Sequence, residues 1–200
     1  MRVIAGRYKG RRLKAPTWEG LRPTSDKLRE TLFNILAPRI EGARFLDGYA
    51  GTGAVGIEAL SRGAAQVTFV ERDRRATRLI DENVRTCDEA ADYTIETGDV
   101  TMLLRQNAAA FDVVWLDPPY DSDSAEVLNA AAGALAPGGL VVLERATRRE
   151  PDRADTLTRI RDVKSGDSTL TFFRRDEDES HEDHKDQPQR SQRTTKKDPL

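Results

Sequence analysis

The chain predicts an α/β fold: a mostly parallel, seven-stranded Rossmann-like sheet with an antiparallel final strand and a basic β-hairpin at its N-terminus. Three observations predict it. Short apolar runs alternate with amphipathic ones from residue 43 to residue 144, as strand–helix units do when right-handed crossovers keep a sheet parallel. The fragment GTGAVG, Gly51–Gly56, sits between the first apolar run and the first amphipathic one. Four acids, Asp47, Glu71, Asp99 and Asp117, each close a predicted strand, at the sheet edge where such folds gather ligands.

Each element has a local reason. RVIAGRYKGRRLKAP (2–16) holds short extended runs broken by Gly6 and Gly10, hence the hairpin. After Pro23 a helix is expected, capped by Thr24, Ser25 or Asp26, with Leu28, Leu32, Ile35 and Leu36 on one face and Pro38 ending it. Strands are expected at 43–47, 66–71, 93–99 and 111–117, followed by LVVLE (140–144). The fourth, FDVVWLD, is nearly continuous in apolar residues, as a central parallel strand must be. Helices are expected at 54–63, 74–89, a short stretch at 102–106, and about 124–135, the last leading through APGG into the fifth strand. TLTRIRDVKSGDSTLTFFRR reads as two strands joined at SGDS.

Two hundred residues suit one domain with appendages: an arm (1–22), a body (23–175) and a charged tail (176–200). The tail is nearly devoid of apolar residues and is expected to be disordered; its His181 and His184 read as solvated rather than metal-binding. No run approaches the length that spans a bilayer, and the N-terminus lacks a signal-peptide core, so a cytoplasmic protein with no membrane partner is expected. Cys87 has no disulfide partner and reads as a packing residue. The net charge of −2 argues against a nucleic-acid partner, but the distribution reverses that: seven basic residues stand against Glu19 between Met1 and Arg22, a local charge of +6. Arg7, Lys9, Arg11, Arg12, Lys14 and Arg22 are therefore candidate phosphate contacts.

The glycine loop also fits a dinucleotide fingerprint, with Glu71 twenty residues after Gly51 as the ribose-binding acid. Gly51 and Gly53 let the backbone turn sharply and approach a ligand. Asp47 favours one cofactor without excluding the other: a carboxylate there repels pyrophosphate but suits a cation such as the α-ammonium of S-adenosylmethionine (SAM). Glu71 accepts both ribose hydroxyls in either case. Asp99, with the backbone N–H of Val100, suits the adenine edge, although Asp99 equally reads as a helix N-cap.

DPPY, Asp117–Tyr120, carries the chemistry. Pro118 and Pro119 fix φ and remove two donors, so the Asp117 carboxylate and a backbone carbonyl can be held on one small object. An exocyclic amino group on a base needs that arrangement, because two acceptors on its hydrogens free a lone pair otherwise delocalised into the ring. Tyr120 offers a face on which an extruded base can stack. No metal is required.

With these residues, the chain resembles the RsmD-type family of bacterial methyltransferases. The likeness runs over RVIAGRYKGRRLKAP, GLRPTSDKLRETLFNIL, FLDGYAGTGAVGIEALSRGA, VTFVERD and DVVWLDPPY, most of residues 2–145. It implies a SAM-dependent methyltransferase fold acting on the N2 amino group of a guanine in 16S rRNA (guanine-966 type), with the assembling small ribosomal subunit as partner. Nothing in the sequence suggests an obligate interface, so a monomer is expected. It also implies an RNA-contacting hairpin, and a helix closing over the cofactor with Arg22, Thr24 and Arg29 near its start. DPPY alone is shared with DNA adenine (N6) methyltransferases, which remain an alternative; an NAD-dependent oxidoreductase and a non-catalytic RNA-binding assembly factor are more distant ones.

Overall fold

A computed structural model describes residues 1–18, 24–119 and 123–176. Twelve elements follow in chain order: α1 (Asp26–Ile40), β1 (Arg44–Gly48), α2 (Ala54–Ser61), β2 (Gln66–Glu71), α3 (Arg74–Cys87), β3 (Tyr93–Thr97), α4 (Val100–Gln106), β4 (Phe111–Leu116), α5 (Ala125–Ala134), β5 (Leu135–Ala146), β6 (Leu157–Ser165) and β7 (Ser168–Arg175). They build one seven-stranded sheet of order β3-β2-β1-β4-β5-β7-β6. The first five strands are parallel; β7 runs antiparallel between β5 and β6.

Strand alternation explains why both faces are buried. Phe45, Phe69, Trp115 and Val142 point to one side and pack against α1, α2 and α3. Their neighbours Leu46, Val70, Leu116 and Leu143 point to the other and meet α4 and α5. A central strand covered on both sides has no polar face to show, so β4 reads as an unbroken apolar run. Strand order reverses between β1 and β4, which opens a crevice beyond their carboxyl ends.

Three local expectations change. Pro38 lies inside α1, whose last turn continues to Ile40. Proline near a C-terminus removes one hydrogen bond while its φ stays helical, and buried Ile40 anchors the final turn. APGG lies within β5, which starts at Leu135 and loses register with β4 between Phe111 and Val113; a bulge absorbs the turn residues without ending the strand. The N-terminal segment holds a single antiparallel bridge, Arg2 to Arg12, with Val3–Arg11 and Gly10–Val3 backbone bonds of 3.0 Å, rather than two laddered strands. Gly6 and Gly10, both at positive φ, bend it too often for a ladder.

The arm is nonetheless fixed. Glu58, fully buried on α2, accepts hydrogen bonds from the amides of Ile4 (2.8 Å) and Ala5 (3.0 Å). Ser61 accepts from the Tyr8 amide, and Asn83 of α3 clamps Lys14 through both its N–H and its carbonyl. Arg29, fully buried on α1, donates to the Arg2 carbonyl and to Asp26, tying α1 to the same segment. Cys87 is buried, as expected of a packing residue. The tail from 177 onward, with His181 and His184, lies outside the described residues.

Candidate active site

A cleft of about 1030 Å³ opens at the switch point between β1 and β4. Its lining includes Thr24, Gly51, Glu71, Asp99, Val100 and Asp117–Pro119, so most of the site residues expected from sequence meet in one place.

The glycine loop is held by two carboxylates from two strands. Gly53 caps α2 at φ 75 and offers no side chain to the helix amides. Asp47 supplies what the cap lacks: it is 1% exposed and accepts the Gly56 amide at 2.7 Å. Burial, with Glu71 nearby, pushes its carboxyl up to about 8. Its side chain thus faces the loop amides and a small adjoining pocket rather than the open cleft. Asp47 sits beneath the loop, lining a small pocket with Gly51, Trp115 and Asp117, where it supplies the acceptor that an N-terminal helix amide needs. Glu71 holds the loop from the side, accepting from the Gly51 amide at 2.9 Å through one oxygen and from the Arg72 and Asp73 amides through the other.

Asp99 caps α4, accepting the Met102 amide at 3.0 Å, and its second oxygen pairs with the Arg72 guanidinium. Arg72 and the α4 amides hold its carboxyl below the usual range. Its N-cap role is thus present, and the carboxylate stays on the cleft wall beside buried Val100. The edge so formed presents acceptors at Glu71 and Asp99 and a close-approaching glycine backbone, a donor and acceptor set that fits an adenosyl group.

Asp117 leaves β4 with its amide toward the Gly48 carbonyl (3.4 Å), and Pro118 and Pro119 extend the same wall. Tyr120 lies outside the described residues, as does Arg22.

Several lining residues escaped sequence reasoning. Arg72 and Tyr49 adjoin residues already singled out, and their positions beside a strand end and inside the glycine loop were readable signals. Burial pushes the Tyr49 phenol up, as does the Asp99 charge. Glu144, at the end of β5, and the β6–β7 turn (Ser165, Gly166, Asp167, Ser168) carried no local signal; the antiparallel β7 brings that turn to the mouth of the cleft.

The arm's cations divide. Arg7 lies 3.9 Å from Asp88 and over the Tyr8 ring, Arg11 donates to the Thr86 carbonyl, and Lys14 pairs with Glu82 at 2.9 Å. Lys9 and Arg12 are exposed and make no ion pair among the described residues. Beyond Lys14, Trp18 packs under the Arg75 guanidinium at the start of α3, a further contact between the arm and that helix. Among the described residues no cluster of His, Cys, Asp or Glu is arranged to hold a metal, and no helix is long and apolar enough to cross a membrane.

Strand order, switch-point cleft and glycine loop define the Rossmann-like methyltransferase class of fold. A family model described as conserved hypothetical protein 95 matches residues 1–174. The ribosomal RNA small subunit methyltransferase D of Haemophilus influenzae is 41% identical over 150 residues, covering 72% of this chain and 78% of that protein. Its Escherichia coli namesake is 42% identical over 120 residues, 60% of each. Among solved structures, Escherichia coli yhhF, described as a methyltransferase, superposes with a TM-score of 0.78 at 35% identity over 88% of this chain and 97% of that one. Pyrococcus horikoshii Trm1, solved with S-adenosyl-L-methionine, shares the fold at 15% identity and a TM-score of 0.61, over 72% and 53% of the chains. The chain belongs to the matched family, that of the RsmD-type small-subunit rRNA methyltransferases.

Proposed function

We propose that this protein transfers a methyl group from SAM to the exocyclic N2 amino group of a guanine in small-subunit rRNA, acting as a monomer on the assembling subunit. One observation carries the reading: the rigid Asp117–Pro118–Pro119 turn lines the same cleft as the Gly51–Glu71–Asp99 edge. That edge would hold the adenosyl part of SAM, whose sulfonium supplies an electrophilic methyl. The chain's own residues do the rest. Glu71 accepts from ribose hydroxyls, Asp99 and the Val100 amide meet the adenine edge, and Thr24 borders the cleft from the α1 side. The Asp117 carboxylate and a carbonyl of the proline turn accept the two amino hydrogens, which localises the nitrogen lone pair and aims it. Asp117 is then placed to take the proton that the alkylated nitrogen sheds. Arg7, Lys9, Arg11, Arg12, Lys14 and Arg22 supply phosphate contacts that position the RNA without reading its sequence.

The relatives' names support small-subunit rRNA as substrate; the amino group and base rest on the turn's chemistry and the family resemblance. The test is transfer of radiolabelled methyl from SAM to small-subunit particles lacking the modification, followed by nucleoside analysis. N2-methylguanosine is expected. N6-methyladenosine, or no incorporation, overturns the reading. Calorimetric titration with SAM and with NAD separates it from a dinucleotide enzyme, for which the proline turn has no use.

A further inference from the structure

The far wall of the cleft lies beyond the turn that holds the amino group. β4 and β5 pair Leu116 with Leu143, so the next residues are neighbours: Asp117, just past the end of β4, and Glu144, still within β5 and paired with Leu170 of β7. Glu144 is 5% exposed and lines the cleft with Asp117 and Pro118. Its Oε1 accepts a hydrogen bond from the Ser168 hydroxyl at 2.9 Å, so the carboxylate is held in one orientation by the strand beside it. The β6–β7 turn closes over it: the Thr147 amide donates to the Asp167 carbonyl at 2.7 Å, and the Thr147 hydroxyl to that of Gly166 at 3.3 Å. A base whose amino group reached Asp117 would therefore present its adjacent ring edge to a second, oriented acceptor.

We infer that Glu144 is a specificity-determining residue that selects guanine by accepting its N1–H. The inference rests on the amino-methylation reading above and extends it to the base. Guanine presents N1–H and the N2 hydrogens as neighbouring donors, which match two adjacent carboxylates. Adenine presents a bare N1 beside its amino group, so a carboxylate there faces a lone pair and the adenine complex is disfavoured. A site built around a substrate N–H discriminates strongly against an analogue without it, since the acceptor is left buried and unmatched.

Particles assembled on rRNA carrying either guanine or 2-aminopurine at the methylated position separate the possibilities. 2-Aminopurine keeps the N2 amino group but has a bare N1. The parent enzyme should prefer guanine by about 100-fold or more in kcat/KM. Glu144→Gln can turn its amide N–H toward a bare N1, so that preference should fall at least tenfold, by loss on guanine and gain on 2-aminopurine, with SAM affinity unchanged. Ser168→Ala, which frees the carboxylate, should move the ratio the same way by less. A general packing defect would lower both rates together and leave the ratio intact. A preference within twofold of the parent's in Glu144→Gln, or a parent that accepts 2-aminopurine as readily as guanine, overturns the inference while N2 methylation stands. A parent product of N6-methyladenosine overturns the reading beneath it.

Discussion

The Asp47 carboxylate accepts the Gly56 amide at 2.7 Å from beneath the glycine loop, capping a helix whose own N-cap residue is a glycine. The bond joins the end of β1 to the first turn of α2 and so sets the height of the loop above the sheet.

That relationship has a pH signature. Asp47 is raised from 3.8 to about 8 in the folded chain, chiefly by burial, so between those values the folded state binds a proton that the unfolded state does not. Stability from this group is therefore greatest at low pH and declines as pH rises toward 8. Asp47→Asn keeps an acceptor for Gly56 and cannot ionise. The Tm difference between parent and variant should shift in the variant's favour from pH 5 to pH 9, read by thermal denaturation. An unchanged difference across that range would mean that Asp47 is ionised throughout, as a carboxylate paired with a cation would be.

Asp117→Ala should remove methyl transfer while leaving SAM and RNA binding in place. Loss of one preorganised acceptor costs roughly 10²–10³ in kcat, comparable to deleting one oxyanion-hole donor. Single-turnover transfer, with titration calorimetry for SAM, checks it; near-parental turnover would remove the proline turn from the mechanism.

The arm predicts a graded salt response. Neutralising Arg11, Arg12 and Lys14 should weaken particle binding and flatten its dependence on salt, with SAM affinity unchanged. Because Arg11 and Lys14 already bond to α3, the separate pair Lys9→Ala with Arg12→Ala should flatten the slope more than neutralising Arg11 and Lys14 together does, by about 1.4 at roughly 0.7 per single-strand phosphate contact. Identical slopes for parent and variants would exclude the arm from RNA binding.

Glu58→Ala removes the acceptor for the amides of Ile4 and Ala5 and for Arg62, all on one buried carboxylate. With each orphaned buried group costing about 1–3 kcal/mol, the variant should lose several kcal/mol of stability. Limited proteolysis should then cut at the arm's basic residues before the body unfolds. An arm as resistant as the parent's would show that Glu58 is not what holds it.

Much of this molecule was legible along the chain because its signals are local. The alternation of Phe45–Leu46 and Trp115–Leu116 across the two sheet faces, and the pair of prolines at 118 and 119, are properties of consecutive residues. So is the placement of Glu71, Asp99 and Asp117 at strand ends, since a parallel sheet puts every such end on one edge. What stayed hidden depends on partners distant in sequence. Pro38 and APGG looked like breaks, but buried Ile40 and the bulge opposite Phe111 outweigh local propensity. The arm read as a hairpin; some of its amides do bond across it, Val3 to Arg11 and Leu13 to Met1, but those of Ile4, Ala5, Tyr8 and Lys14 found Glu58, Ser61 and Asn83, more than fifty residues away.

By itself, then, the sequence determined the layered sheet and the one edge at which Glu71, Asp99 and Asp117 meet, consequences of periodicity and of the common end that a parallel sheet gives its strands. Only the tertiary structure decided that Asp47 serves the loop, that Arg72 holds Asp99, and that Glu144 and the Ser165–Ser168 turn line the same cleft as Asp117. An oxygen's role depends on which hydrogen it meets, and the chain specifies that meeting only by folding.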